Sequence, residues 1–123
     1  MAGHNDRGWG RMIYAFGYSM QGFKACFQAE EAFRQELFLL LFLAPLGLWL
    51  GATPVERVLL IGCLLMVLIV ELLNSAIEAG VDRVGLERHE LSARAKDIAS
   101  AAVFMSMTLA WVTWGLILIP KWF

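Results

Sequence analysis

Residues 58–82 read VLLIGCLLMVLIVELLNSAIEAGVD, and this stretch decides the fold. Val58 to Val70 is 13 residues without a charge, and with Glu71 accepted the run continues to Ile77, 20 residues in all. A helix needs about 20 apolar residues to cross a bilayer core of roughly 30 Å. Backbone polar groups in that core must be satisfied inside the segment, so the run is expected to be a helix. Working outward, Leu37 to Val55 is 19 uncharged residues and Ile98 to Pro120 is 23. The expected architecture is an all-α membrane protein. Its three transmembrane helices lie at about 31–52, 56–82 and 92–120, within a single membrane domain of residues 1–123.

Composition supports this reading. A chain of 123 residues is one domain. It is 59% apolar and only 17% charged, against about 25% charged in an ordinary soluble domain. A soluble domain this small needs more polar residues to cover its surface. The net charge of −1 exerts no general pull on nucleic acid, and no nucleic-acid partner is expected. The abundance of Leu, Val, Ile and Phe excludes disorder.

Lysine and arginine set the orientation. Residues 1–36 carry Arg7, Arg11, Lys24 and Arg34, and residues 78–97 carry Arg83, Arg88, Arg94 and Lys96. The remaining two are Arg57 and Lys121. The positive-inside rule then places the N-terminus and the second loop in the cytoplasm and the C-terminus outside. Trp49, Trp111, Trp114 and Trp122 lie toward the span ends, as interfacial aromatics do. No cleavable signal peptide is expected, because the first apolar run starts 36 residues in and lacks an A-x-A-like exit. Cys26 and Cys63 have no metal-binding spacing and are expected to be reduced packing residues.

Before the first span, Trp9, Met12, Ile13, Phe16, Met20, Phe23 and Phe27 fall on one face of a helix at about 6–29. Such a helix is expected to lie amphipathically in the membrane interface. The glycines at 8, 10, 17 and 22 weaken it. Gly51-Ala52-Thr53-Pro54 is the expected outer turn, and Pro45 and Gly47 are expected to kink or loosen the first span.

The second span carries the chemistry. Glu71, Asn74, Ser75, Glu78 and Asp82 form a polar stripe. At 100° per residue the three carboxylates lie within about 20° of one line, flanked by the amide and the hydroxyl. An ionisable group inside a span costs on the order of 3 kcal/mol and normally faces protein or a wet cavity. A carboxylate at that depth suits general-base work, so Glu71 is the candidate base. Glu78 and Asp82, nearer water, suit a hard cation through oxygen. The second loop offers Glu87, Arg88, His89 and Glu90, then Arg94, Lys96 and Asp97, and Lys96 beside a metal site suits a phosphate chain. Neither G-x-x-x-x-G-K-[ST] nor G-x-G-x-x-G is present, which excludes the usual phosphate loops. It leaves open nucleotide binding by carboxylates, Mg²⁺ and a lysine.

The run from Glu71 to Asp82 resembles the signature E-x-x-N-[ST]-A-[IV]-E-x-x-[VI]-D of the bacterial integral-membrane diacylglycerol kinases. Ala95 to Ala102 resembles their second motif, Glu30 with Ala32 to Glu36 the run before their first span, and Gly17-Tyr18-Ser19 their surface helix. The likeness covers nearly the whole chain, although the C-terminal third matches mainly in hydrophobicity. It implies an ATP-dependent lipid kinase that phosphorylates the hydroxyl of diacylglycerol with MgATP, giving phosphatidic acid and ADP. It implies a homotrimer in the bacterial cytoplasmic (inner) membrane with each site shared between neighbouring subunits. By position, Glu71 matches the catalytic base and Asn74 its support, and Glu30 and Glu78 match the Mg²⁺ carboxylates on ATP. Arg11, Tyr18, Glu87, Arg88, His89, Lys96 and Asp97 match positions facing the nucleotide. Arg11, Ser19, Arg34, Gln35, Glu36, Arg57, Glu71 and Ser100 match the lipid site. Met20 replaces a frequent aromatic, and Glu31 stands where small residues also occur.

The expected mechanism is direct in-line transfer with Glu71 as base and with Glu30 and Glu78 holding the metal. Glu30 and Glu71 need not come from the same chain of the trimer. Two rivals are weighed against it. A polyprenol such as undecaprenol can replace diacylglycerol as acceptor with the same motif. A small oligomeric ion or proton conductor can line a pore with carboxylates, but Lys96 and Asp97 at the cytoplasmic edge argue against a cation pore.

Overall fold

The structure is a computed structural model that describes residues 8–85 and 89–122. Those residues form four helices, α1 (Gly8–Ala29), α2 (Glu31–Leu50), α3 (Pro54–Val84) and α4 (Glu90–Trp122). The last three are long and apolar enough to cross a membrane. At 1.5 Å per residue, the 31 residues of α3 extend about 46 Å, so the helix outruns the apolar core of a bilayer.

A single residue separates α1 from α2. Glu30 is extended, with φ −116° and ψ 112°, and its backbone N–H still donates to the Cys26 carbonyl at 2.8 Å. Arg34 reaches back one turn and donates from Nη1 to the carbonyls of Phe27 (2.7 Å) and Gln28 (3.2 Å). It thereby satisfies acceptors that the end of α1 leaves open. α2 runs without a break through Pro45, whose missing N–H removes one ladder bond.

The turn to α3 follows local rules. Thr53 is the N-cap and accepts from the Glu56 N–H at 3.1 Å, with Pro54 at the first helical position. Glu56 in turn accepts from the Ala52 N–H at 2.9 Å, a reciprocal arrangement close to a capping box.

α3 is the central element. Its buried residues are Leu60, Cys63, Val67, Leu68 and Glu71, at helical spacing on the face that meets its neighbours. Gly47 of α2 lets the helices approach closely, since a Cβ there would stand 3.3 Å from Cβ of Leu60. Trp114 of α4 donates from Nε1 to the Leu60 carbonyl at 3.0 Å. At the end away from the α1–α2 junction, Lys121 bonds both the Leu50 carbonyl (3.3 Å) and the Glu56 carboxylate, tying the ends of α2, α3 and α4. Nearer the α1–α2 junction, Cys26, Phe33 and Leu68 form a small core with Leu37, Leu40 and Leu72 around it.

The chain exposes 9320 Å². A compact monomer of 13.8 kDa would expose about 6,600 Å². The excess is largely apolar. Only 28% of the most apolar window of α3, and 6% of that of α4, is buried within the chain. Lipid or a second copy must cover such a surface.

Candidate active site below the junction of the first two helices

Glu71 sits on the packed face of α3 and is 5% exposed. Its charged neighbours are the carboxylates of Glu36, Glu30 and Glu78. It accepts no hydrogen bond among the described residues. Every fully sealed side-chain oxygen there does have a partner, so the Glu71 carboxylate keeps an edge that a small group can reach. A half-buried cluster of four carboxylates repels itself and calls for a cation or a proton.

The neighbours are held from several directions. Ser75 donates from Oγ to Oε1 of Glu30 at 3.2 Å, linking α3 to the α1–α2 junction across 45 residues. Asn74 donates from Nδ2 to Oε1 of Glu78 at 3.0 Å. That bond joins residues four apart, because side chains one turn apart share a helix face. One turn beyond Glu78, Asp82 accepts from Lys96 of α4 at 2.8 Å, and Glu78 is a further charged neighbour of Lys96.

Glu30 is a charged neighbour of Glu71 within the one chain. The reason is the one-residue α1–α2 break, which leaves Glu30 facing α3 of its own chain.

Among the described residues, no three His, Cys, Asp or Glu side chains converge to hold a metal by themselves. The donor set still fits Mg²⁺. That ion takes oxygen ligands, keeps several waters, and uses one or two carboxylates together with substrate phosphates. Glu30 and Glu78 each have one oxygen engaged by a neutral donor, and the other is available.

The remaining sequence-predicted residues distribute unevenly. Arg11, Tyr18 and Ser19 are exposed along α1. Ser19 bonds the Ala15 carbonyl at 2.9 Å and lines a cleft of about 500 Å³ between α1 and α3, which Cys26, Leu72 and Ser75 also line. Glu36 heads a second, apolar groove of about 420 Å³ lined by Leu39, Leu43, Leu64, Val67 and Met107, with Trp111 and Trp114 along it. Gln35 is exposed on α2, and Asp97 and Ser100 are exposed on α4. His89 accepts from the Leu91 N–H at 3.0 Å and so serves the start of α4. Arg34 is occupied in capping α1. Glu87 and Arg88 lie outside the described residues.

Arg57 is not brought to this cluster. It precedes Glu71 by 14 residues of α3, about 21 Å, and donates from Nε to the Leu48 carbonyl at 3.0 Å. Both cysteines are free and buried, and burial pushes the Cys26 thiol up, away from nucleophilic reactivity. Ser75 belonged to the sequence stripe without an assigned role and bonds Glu30, while Asp82, read with Glu78 as suited to a hard cation, is paired with Lys96.

Comparison with known proteins adds a consistent picture. The family model described as prokaryotic diacylglycerol kinase matches residues 17–118. The chain is 50% identical over 115 residues to a diacylglycerol kinase of Haemophilus influenzae, covering 94% of this chain and 98% of that protein. It is 49% identical over 115 residues to that of Escherichia coli strain K12, covering 94% of each. It is 53% identical over 109 residues to that of Pseudomonas aeruginosa, covering 89% of each.

Proposed function

The chain belongs to the prokaryotic diacylglycerol kinase family, and from that premise we propose that it transfers the γ-phosphoryl of ATP to the hydroxyl of a membrane diacylglycerol, giving phosphatidic acid and ADP. The observation that carries the site assignment is Glu71: buried on the packed face, without a hydrogen-bond partner among the described residues, and ringed by Glu30, Glu36 and Glu78.

In this reading the lipid approaches sideways from the bilayer. An acyl chain fits the apolar groove that Glu36 heads, which sets the hydroxyl beside Glu71. Glu71 takes the hydroxyl proton as the oxygen attacks. Glu30 and Glu78 would hold Mg²⁺ with ATP, and the ion would supply charge neutralisation to the phosphate chain. Lys96 presents its ammonium at the edge of the cluster. The bond to Asp82 fixes its direction, and two of its three protons stay free for phosphate oxygens. Arg11, Tyr18, His89 and Asp97 face the nucleotide. Ser19, Gln35 and Ser100 border the lipid. Arg34 shapes the site through the α1–α2 junction, and Arg57 stands about 21 Å along α3 from Glu71. Rate enhancement comes from positioning and charge neutralisation.

The exposed apolar surface of α2 to α4 supports assembly into a homotrimer in the inner membrane, with α1 in the cytoplasmic interface and the C-terminus outside. ATP consumption by the purified protein in mixed micelles tests the reading. Turnover with diacylglycerol well above that with undecaprenol is expected. Preference for undecaprenol would reassign the acceptor, and no turnover with either would remove the kinase reading.

A further inference from the structure

We propose that Ser75 is a positioning residue for the metal–nucleotide site, holding Oε1 of Glu30 so that Oε2 faces the cation; this rests on the reading of Glu30 and Glu78 as the Mg²⁺ carboxylates. Three features of the chain single Ser75 out. The first is how other hydroxyls behave. Ser19, Ser106 and Thr108 each turn back onto a carbonyl of their own helix, at 2.9, 2.7 and 3.0 Å. That is the ordinary fate of a helical hydroxyl. Ser75 instead donates out of its helix to a carboxylate 45 residues away.

The second feature is Glu30 itself. It occupies the N-cap of α2, yet its side chain caps nothing there. Ser, Thr, Asp and Asn are the residues that stabilise an N-cap, and Glu is not among them. The local helix rule is broken at this position, and the side chain is directed to α3 instead. Such local exceptions concentrate at functional sites.

The third feature is symmetry of role. Asn74 and Ser75 are adjacent in α3, and each donates one hydrogen bond to one oxygen of one of the two metal carboxylates. Mg²⁺ tolerates little departure from octahedral geometry, so the orientation of each carboxylate matters as well as its charge. Without Ser75, Glu30 hangs from a one-residue break with its torsions free.

Removing partners that orient metal ligands typically weakens metal affinity 10–100-fold. The test is calorimetric binding of a non-hydrolysable ATP analogue to the detergent-solubilised full chain at a series of Mg²⁺ concentrations. For Ser75→Ala the Mg²⁺ concentration giving half-maximal binding should rise by about tenfold or more. Ser75→Cys, similar in shape but a weak donor, should do the same, while Ser75→Thr should stay near wild type. Glu30→Gln should shift at least as far, and Ser75→Ala added to it should change nothing further. An unshifted Ser75→Ala beside a shifted Glu30→Gln would overturn the role of Ser75 and leave the metal site standing. An unshifted Glu30→Gln would overturn both.

Discussion

Asn74 and Glu78, one turn apart in α3, are joined by a hydrogen bond of 3.0 Å from the amide Nδ2 to the carboxylate Oε1. The amide nitrogen is the only donor of the Asn74 side chain, so its replacement by an acceptor reverses the interaction. Asn74→Asp should impair Mg²⁺-dependent turnover more than Asn74→Ala does. A hydrogen bond to a charged group contributes about 1.5–3 kcal/mol, so Asn74→Ala should lower kcat/KM for MgATP by at least about tenfold. Steady-state kinetics over a range of Mg²⁺ check the order, and equal effects of the two substitutions would remove the orienting role.

Glu71→Gln preserves the size of the buried side chain but cannot take a proton. The expected loss is roughly 10²-fold or more in kcat, the usual scale for a general base. The KM for ATP should stay near wild type, because Glu30, Glu78 and Lys96 are untouched. Turnover of the purified variant at the wild-type rate would dismiss Glu71 as base.

Glu30 and Glu71 lie together in one chain. Co-assembly of Glu30→Gln chains with Glu71→Gln chains should therefore give no activity above that of the two separate variants. Every site built this way retains one defect. Recovery of a sizeable fraction of wild-type turnover in mixed oligomers of proven composition would show that the pair is drawn from different subunits.

Lys121 joins the ends of α2, α3 and α4 through the Leu50 carbonyl and Glu56. Lys121→Met should lower the thermal unfolding midpoint in detergent. It should leave kcat at saturating substrates unchanged, since Glu71 lies 15 residues of α3, about 22 Å, beyond Glu56. A fall in kcat at a temperature where the variant is fully folded would contradict a purely structural role.

Gly47 packs against Leu60 with no room for a side chain at full contact distance. Gly47→Val should destabilise the chain by about 1–3 kcal/mol, as overpacking does. Gly62, whose Cβ position is open, should accept Ala without loss. Denaturant unfolding in mixed micelles checks the contrast.

Much of the fold was legible in the residues. Charge-free runs located three long apolar helices, and the turn read at Gly51 to Pro54 falls where α2 gives way to α3. The stripe from Glu71 to Asp82 identified the polar face of α3, because helical periodicity alone aligns those side chains. The partners of that stripe were less legible. Asn74 bonds Glu78, Arg34 the end of α1 and His89 the start of α4, and none of these bonds was read from the residues.

The division has a physical cause. Hydropathy and periodicity are local properties, summed along a segment, so the sequence by itself determined that three helices are apolar enough to span a membrane and which face of α3 is polar. A side chain's partner depends on the rotation and offset of neighbouring helices. Those follow from contacts such as Gly47 on Leu60 and Trp114 on the Leu60 carbonyl. Only the tertiary structure decided that Ser75 meets Glu30 across 45 residues and that Asp82 meets Lys96. None of those pairings lies within one helix, so no reading of a single helix could have placed them.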